Sequence, residues 1–464
     1  MAFFNKHKVW FVVIASIINY VYVAYFLERT SFVELLFCWI FLFGCFYFLV
    51  KKSTCTFKEL AIISVLFRLI LLFATPNLSQ DFYRFIWDGR MIFAGFNPYL
   101  STPESFINSG VFPIHDAKTL YEGMGVLNGS HFTNYPPIHQ FGFLIAAFFA
   151  SKSIFGSMLV LRFLLILADI GILYIGKKLL ERLHLPNHTI FWYALNPFII
   201  IEMTGNLHFE PVMLFFLILS FYKLQQQKWI LGALFMGCAI SVKLIPLLFL
   251  PLFLKWFVST TSDSNSPEKF HFFCFIKKID FRKLILFYTM IIGVIVLLFS
   301  PFLSQNLISN YSKSVGLWFT TFEFNASFYY LFREIGYLIS GYNEIAIIGK
   351  ITALSTVIFI LIVAFFRKNN SIENLIISML LGINFYYFLS STVHPWYIAT
   401  PLLLCIFTKY RFPIFWSFIV ILSYHAYASS SWNENLFLVA FQYILLFSYI
   451  IYEIKKHIVK KTIR

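Results

Sequence analysis

Apolar runs long enough to cross a lipid bilayer recur along the whole chain, and they constrain the fold more than any single motif. Residues 9–27, 31–50, 59–75, 157–175, 284–303, 345–366, 373–391, 413–428 and 435–454 are nearly continuous in hydrophobic side chains. A helix needs about 20 such residues to span the hydrocarbon core. Shorter or proline-broken runs fall within 138–155, 191–201, 211–222, 229–257 and 396–407. Together they give roughly 11 to 14 spans, with the short runs open to a re-entrant or interfacial reading. The runs do not alternate, which argues against transmembrane strands. The expectation is an all-α, polytopic integral membrane protein with one transmembrane domain over residues 1–464. Only 12% of the residues are charged and 59% are hydrophobic, whereas a soluble domain carries about 25% charge. The run at 9–27 exceeds a signal-peptide core and lacks a small-x-small cleavage site, so it reads as a retained first span.

The net charge of +15 could suggest nucleic acid, but the placement of the charge points elsewhere. Lys and Arg gather at 6–8, 51–58, 177–182, 269–283, 367–368, 409–411 and 455–464, in short segments between apolar runs. Such segments stay in the cytoplasm. With the N-terminus inside, segment 76–137 becomes the first large extracytoplasmic loop. Its acids (Asp81, Asp88, Glu104, Asp116, Glu122) outnumber its bases (Arg84, Arg90, Lys118), in keeping with the outer side. Segment 258–283 reads as a cytoplasmic linker. The count strains at 138–182 and 229–257, where basic residues fall on the wrong side unless a segment is re-entrant or two half-spans meet near 241–245. The six cysteines show no metal-ligand spacing, and neither a metal nor a cofactor is expected.

Charge is scarce, yet "QDFYRFIWDGRMIFAGFNPY" at 80–99 holds two aspartates and two arginines. At 100° per residue, segment 81–93 puts Asp81, Arg84 and Asp88 on one helix face and Phe82, Ile86, Gly89 and Phe93 on another. Gly95 and Pro98 end the helix. This predicts an amphipathic helix at the membrane surface, with its carboxylates turned to water or a cavity. A plain surface anchor with one i,i+3 ion pair has the same pattern. Polar groups reappear at other expected outer positions: Tyr135-Pro136-Pro137, then Glu202, Asn206, His208 and Glu210, then His394, Trp396 and Tyr397, with Glu323 and Asn325 as possible sugar contacts. Each also fits an ordinary polar loop or an interfacial aromatic belt. Lys243 stands alone in an apolar stretch, where a charge is functional by default unless it snorkels to an interface. Arg68, Arg162 and Asp169 fit helix ends or an internal ion pair better than catalysis.

Segment 81–99, with Asp81, Phe82–Trp87, Asp88 and Gly95-Phe96-Asn97-Pro98-Tyr99, resembles a signature of the GT-C superfamily of membrane glycosyltransferases. Tyr135-Pro136-Pro137, Glu202-x-x-Gly205-Asn206, Lys243 with Pro246, and His394-Pro395-Trp396-Tyr397 follow in the matching order. The closer resemblance is to polyprenyl-phosphate-mannose-dependent mannosyltransferases such as glycosyltransferase family 87. Ser79 and Gln80 stand where a further acid is usual. The resemblance implies inverting transfer of a sugar, mannose first, from a polyprenyl-phosphate-linked donor to a glycan or glycolipid acceptor outside the cytoplasm, in a bacterial inner membrane. Asp81 would be the general base and Asp88 a second catalytic carboxylate. Arg84, Arg90, Lys243 and His394 would face the leaving phosphate. Asn97, Tyr99, Tyr135, Glu202, Asn206, His208 and Trp396 would complete the substrate site. Membrane lipids are the other partner, and nucleic acid is not one. A transporter or flippase of a lipid-linked or anionic solute is the alternative, since it too uses an intramembrane lysine and broken spans.

Overall fold

A computed structural model describes residues 2–258, 279–429 and 432–462. Its helices are α1 (Ala2–Tyr25), α2 (Phe32–Lys51), α3 (Phe57–Ile70), α4 (Asp81–Phe93), α5 (Pro103–Asn108), α6 (Ala117–Gly129), α7 (Pro137–Ala150), α8 (Ile154–Arg182), α9 (Phe191–Ala194) and α10 (Glu210–Gln225). They continue with α11 (Trp229–Ile240), α12 (Phe281–Phe299), α13 (Leu307–Thr320), α14 (Phe328–Ser340), α15 (Ile345–Phe366), α16 (Ile372–Leu389), α17 (Ala399–Ile406), α18 (Phe412–Ile419) and α19 (Leu436–Thr462). A π-helical turn, Ile199–Gly205, precedes α10, and a 3-10 segment, Ile245–Lys255, follows α11. Among the described residues the only β pairing is two isolated bridges.

The protein is an all-α, multi-pass membrane protein. Among the described residues seven helices are long and apolar enough to cross a bilayer, from His7–Tyr25 to Leu436–Val459. Ile199–Gly205 and Glu210–Gln225 form an eighth candidate, bent by 110°. The remaining apolar runs resolve into shorter helices: Pro137–Ala150, Trp229–Ile240, Ile245–Lys255, Pro395–Ile406 and Phe412–Tyr427. The two regions that strained the topology are of this short kind. Helix α7 is a 14-residue half-length helix beside the 29-residue α8. The 229–257 stretch breaks at 241–244, with Lys243 at the break. The expected linker at 258–283 lies largely outside the described residues; the chain leaves at Val258 and returns beside it at Ile279, the two forming an antiparallel bridge.

Buried charges are compensated. Arg68 of α3 pairs with Asp169 of α8 at 2.7 Å, and Tyr193 donates to the same carboxylate at 3.1 Å. This is the internal ion pair the sequence allows. Arg162 instead donates to the carbonyls of Leu72, Thr204 and Gly205, at 2.8–2.9 Å. It thereby closes the end of the π turn against α3.

Helix α4 forms with the expected bounds, but it is not a surface helix. It lies between α6 and α7, and Phe82 and Arg84–Met91 are buried. Two features make this possible. The charges of Arg84, Asp88 and Arg90 are satisfied by neighbouring groups rather than by water. Gly89 also brings the α4 backbone against the Phe143 carbonyl of α7, where a Cβ would overlap backbone atoms. Gly89→Ala should therefore lower stability by about 3 kcal/mol, read as a lower melting temperature in detergent. Gly44→Ala, with nothing within 4 Å of the added carbon, should be neutral or slightly stabilising. Equal melts for the two variants would refute the close packing.

Candidate active site

A cavity of about 880 Å³ lies between α4, α7, the loop after the π turn, the 3-10 segment, α15 and the 394–397 turn. Of the residues singled out in the sequence, Asp81, Tyr135, Pro136, His208, Lys243, His394, Trp396 and Tyr397 line it.

Asp81 opens the first turn of α4, where the helix dipole favours a negative charge. Its Oδ1 accepts from Asn128 Nδ2 at 3.2 Å, and its Oδ2 lies 3.8 Å from His208 Nε2. The side chain keeps 22% exposure, while that of His208 keeps 2%. Burial on its own would raise the Asp81 carboxyl. His208, with smaller help from His394 and Asn128, outweighs burial and holds the group below its ordinary value. His394 is itself pushed down to about 3, first by burial, then by His208 and Lys243 against the opposing pull of Asp81. It is neutral at pH 7.

His208 is oriented from behind. Its Nδ1 lies 2.8 Å from the backbone carbonyl of Glu202. A carbonyl only accepts, so Nδ1 carries the proton and Nε2 faces Asp81. Leu207, in the left-handed region at φ +63°, turns the chain to place it. The ring stacks on Trp396 at 4.0 Å, Trp396 on His394 at 4.4 Å, His394 on Phe322 at 5.7 Å, and Phe322 on Trp432 at 5.9 Å. Two backbone bonds, Phe324 N to Ser391 O (3.0 Å) and Val393 N to Phe324 O (2.8 Å), hold this stack together.

Lys243 pairs with Glu210, which is buried at the start of α10. Ile138 N donates to Ser241 O at 2.8 Å, tying the break to the chain just past Tyr-Pro-Pro. Beyond Lys243 the wall becomes apolar, with Leu244, Ile245 and Leu248 facing Ala353 and Val357 of α15. Helix α15 exposes Ile347, Ile351, Leu354 and Ile358 on its outer side. The cavity therefore runs from a carboxylate–imidazole pair to a helix with an exposed apolar face.

The other expected site residues build the cavity without lining it. Arg84 pairs with Asp88 at 2.8 Å, i to i+4, rather than with Asp81 at i+3, and it also donates to the carbonyls of Asn128 and His131. Gln140 donates to the second Asp88 oxygen at 3.0 Å. Arg90 is held by Asp116 and the His115 carbonyl. Asn97 donates to Phe302 O, and Tyr99 donates to Tyr135 O at 2.6 Å. Glu202 is fully buried and accepts from Tyr424. Asn206 accepts from Leu78 N, anchoring the segment that leads into Asp81. Glu323 is engaged with Tyr329 and Arg333, and Asn325 with the Val393 carbonyl. Among the described residues no group of three His, Cys, Asp or Glu could hold a metal ion.

The sequence reading missed Arg29, Asn128, His139, Tyr427 and Trp432, which line the cavity. Arg29 looks like a loop charge flanking the first span, and the aromatics look like membrane-belt residues. His139 adjoins the Tyr-Pro-Pro motif, which was the available signal for it.

These features define a membrane-embedded helical protein with a polar pocket that reaches an apolar, bilayer-side wall. The chain belongs to the MptA_B family: the model of its alpha-(1->6)-mannopyranosyltransferase N-terminal domain matches residues 5–259. The motifs' resemblance to GT-C mannosyltransferases agrees with that membership. The chain is also similar to Alpha-(1->6)-mannopyranosyltransferase A of Corynebacterium glutamicum, with 24% identity over 213 residues, 42% of this chain and 40% of that protein. The match thus spans less than half of either protein.

Asp88 and Asp81 should separate cleanly on mutation. Asp88→Ala strands the buried Arg84 guanidinium and should cost about 3–5 kcal/mol, seen as a depressed melting temperature and poor yield. Asp81→Asn keeps the Asn128 contact and should melt within about 1 kcal/mol of the parent. A normal melt for Asp88→Ala would show that the pair does not support the fold.

Proposed function

We propose that this protein is an inverting glycosyltransferase. It moves mannose from a polyprenyl-phosphate-linked donor to an acceptor hydroxyl on the extracytoplasmic side of the membrane. The observation that carries this reading is the continuity of one cavity between Asp81 and the apolar wall on α15. A lipid-borne sugar phosphate is polar at one end and apolar at the other, and the cavity has the same polarity. The net-acidic 76–137 segment supports the outer-face assignment, and the family membership supports mannose.

The chemistry follows from the residues present. The acceptor oxygen attacks the anomeric carbon as the bond to the phosphate oxygen breaks, and that electron pair stays on the phosphate. The acceptor's proton goes to Asp81, ionised at neutral pH and the general base. His208 Nε2 lies 3.8 Å from Asp81 Oδ2, with the ring held from behind by the Glu202 carbonyl. The rigid aromatic stack limits the poses open to the sugar, and holding both reactants in one cavity removes several kcal/mol of barrier. Lys243, balanced by Glu210, marks the boundary between the polar end and the apolar wall.

Purified protein incubated with radiolabelled polyprenyl-phosphate mannose, and separately with the glucose counterpart, tests the function. Transfer from the mannose donor is expected. Transfer from neither favours a transporter. Asp81→Asn should lower transfer by about 10²–10⁴-fold while donor binding is retained; an unchanged rate removes Asp81 from the mechanism.

The pH profile gives a second test. The depressed Asp81 carboxyl stays ionised on acidification, so transfer should hold from pH 7 to about 5 and fall only below the ordinary aspartate value of about 3.9. In His208→Gln the upward push of burial is opposed only by the weaker pulls of His394 and Asn128, and the acid limb should move to higher pH. A wild-type limb already centred near pH 6 would contradict the assignment.

A further inference from the structure

Arg29 lies in the turn between α1 and α2 and reaches the cavity wall. Its guanidinium carbon sits 3.6 Å from the centroid of the Tyr427 ring. Its Nε is shielded from solvent and has no hydrogen-bond partner among the described residues. Arginine stacked by its face keeps its N–H donors in the guanidinium plane, a fork that matches phosphate oxygens.

The other intramembrane and loop cations discussed above are already matched. Arg84 is paired with Asp88, Arg90 with Asp116, Arg68 with Asp169 and Lys243 with Glu210. Arg162 is consumed by carbonyls. Two lysine or arginine side chains line the cavity, Lys243 and Arg29. Lys243 has a carboxylate beside it. Among the described residues Arg29 makes no direct ion pair, and the buried Glu202 feels its charge only from further off. A half-buried guanidinium in the cavity wall, stacked on an aromatic ring with its Nε unbonded and no direct ion pair, is a site prepared for an anion.

We propose that Arg29 is the phosphate-binding residue of this site, gripping the phosphate oxygens of the lipid-linked donor and of the polyprenyl phosphate left after transfer. The proposal rests on the transferase reading and adds a residue to it. In the donor the phosphate is a diester with one negative charge. When the anomeric C–O bond breaks, the bonding pair remains on the phosphate oxygen and its charge grows towards two. A fixed cation is then worth more in the transition state than in the bound donor, which lowers the barrier rather than merely tightening binding.

Direct binding of undecaprenyl phosphate to the purified full-length protein in detergent tests the proposal. Arg29→Met should weaken that binding at least 10-fold, Arg29→Lys should fall between, and binding of uncharged undecaprenol should not change. Undiminished binding by Arg29→Met overturns the proposal. Should that variant not fold, the wild-type protein still decides: undecaprenyl phosphate, and not undecaprenol, should protect Arg29 from phenylglyoxal, read by peptide mass spectrometry. Absence of protection overturns it. Equal protection by inorganic phosphate or by phosphatidylglycerol vesicles also overturns it, by assigning the anion to free phosphate or to bulk headgroups. Failure of the wild-type protein to bind undecaprenyl phosphate at all would instead overturn the transferase reading beneath it.

Discussion

Charge buried in apolar surroundings must be paired, and that constraint sorts the residues of this protein into those that build and those that act. An uncompensated ion in such surroundings costs several kcal/mol, and a well-bonded pair recovers most of it. The Arg84–Asp88 pair is the central case. Its two charges cancel, one terminal guanidinium nitrogen reaches the carbonyls at 128 and 131, and the helix that carries them becomes buriable on nearly every side. Without that cancellation α4 would have to lie on a surface. Asp81 would then stand in water rather than at the edge of a cavity.

The same constraint fixes where Asp81 points. Gly89 sets the depth of α4 against α7, and Asn206 holds the strand of chain that enters α4 by its Leu78 amide. Asn206 belongs to the loop that also presents His208. One loop therefore positions both the carboxylate and its imidazole neighbour, so their separation is set within a short span of structure. The Arg162 guanidinium closes the turn behind that loop by binding carbonyls, which lets an unwound segment exist at this depth without orphaned backbone groups.

Much of this was legible in the sequence, and what was not has a physical reason. The bounds of α4 follow from helical periodicity and from Gly95 and Pro98. The importance of Lys243 follows from its isolation among apolar neighbours. The pairing inside α4 was not legible. Positions i+3 and i+4 lie on the same face, so Asp81 and Asp88 are equivalent partners for Arg84 until the carbonyls at 128 and 131 select one rotamer. Arg29 was hidden for a different reason. A lone arginine beside a first span is an ordinary topology signal, and its meaning depends on Tyr427, near the other end of the chain. Hydropathy likewise measures length and apolarity, so it cannot separate a full crossing from the half-length helices at Pro137–Ala150, Trp229–Ile240 and Ile245–Lys255.

The cavity is divided between two parts of the chain. The family-matched residues 5–259 hold Arg29, Asp81, His208 and Lys243. The stacked wall of Phe322, His394, Trp396 and Trp432 and the platform of Tyr427 come from beyond them. The two parts meet at the His208–Trp396 stack and at the Arg29–Tyr427 contact. Charged and proton-handling groups thus sit on the matched part, and the later part supplies flat, uncharged surfaces against them. Aromatic walls change shape by substitution without disturbing a buried ion pair, whereas Arg84, Asp88 or Arg162 cannot change without leaving a charge or a carbonyl unpaired. The physical consequence is a site whose chemistry is locked by electrostatics and whose shape is set by packing, each drawn from a different stretch of the chain.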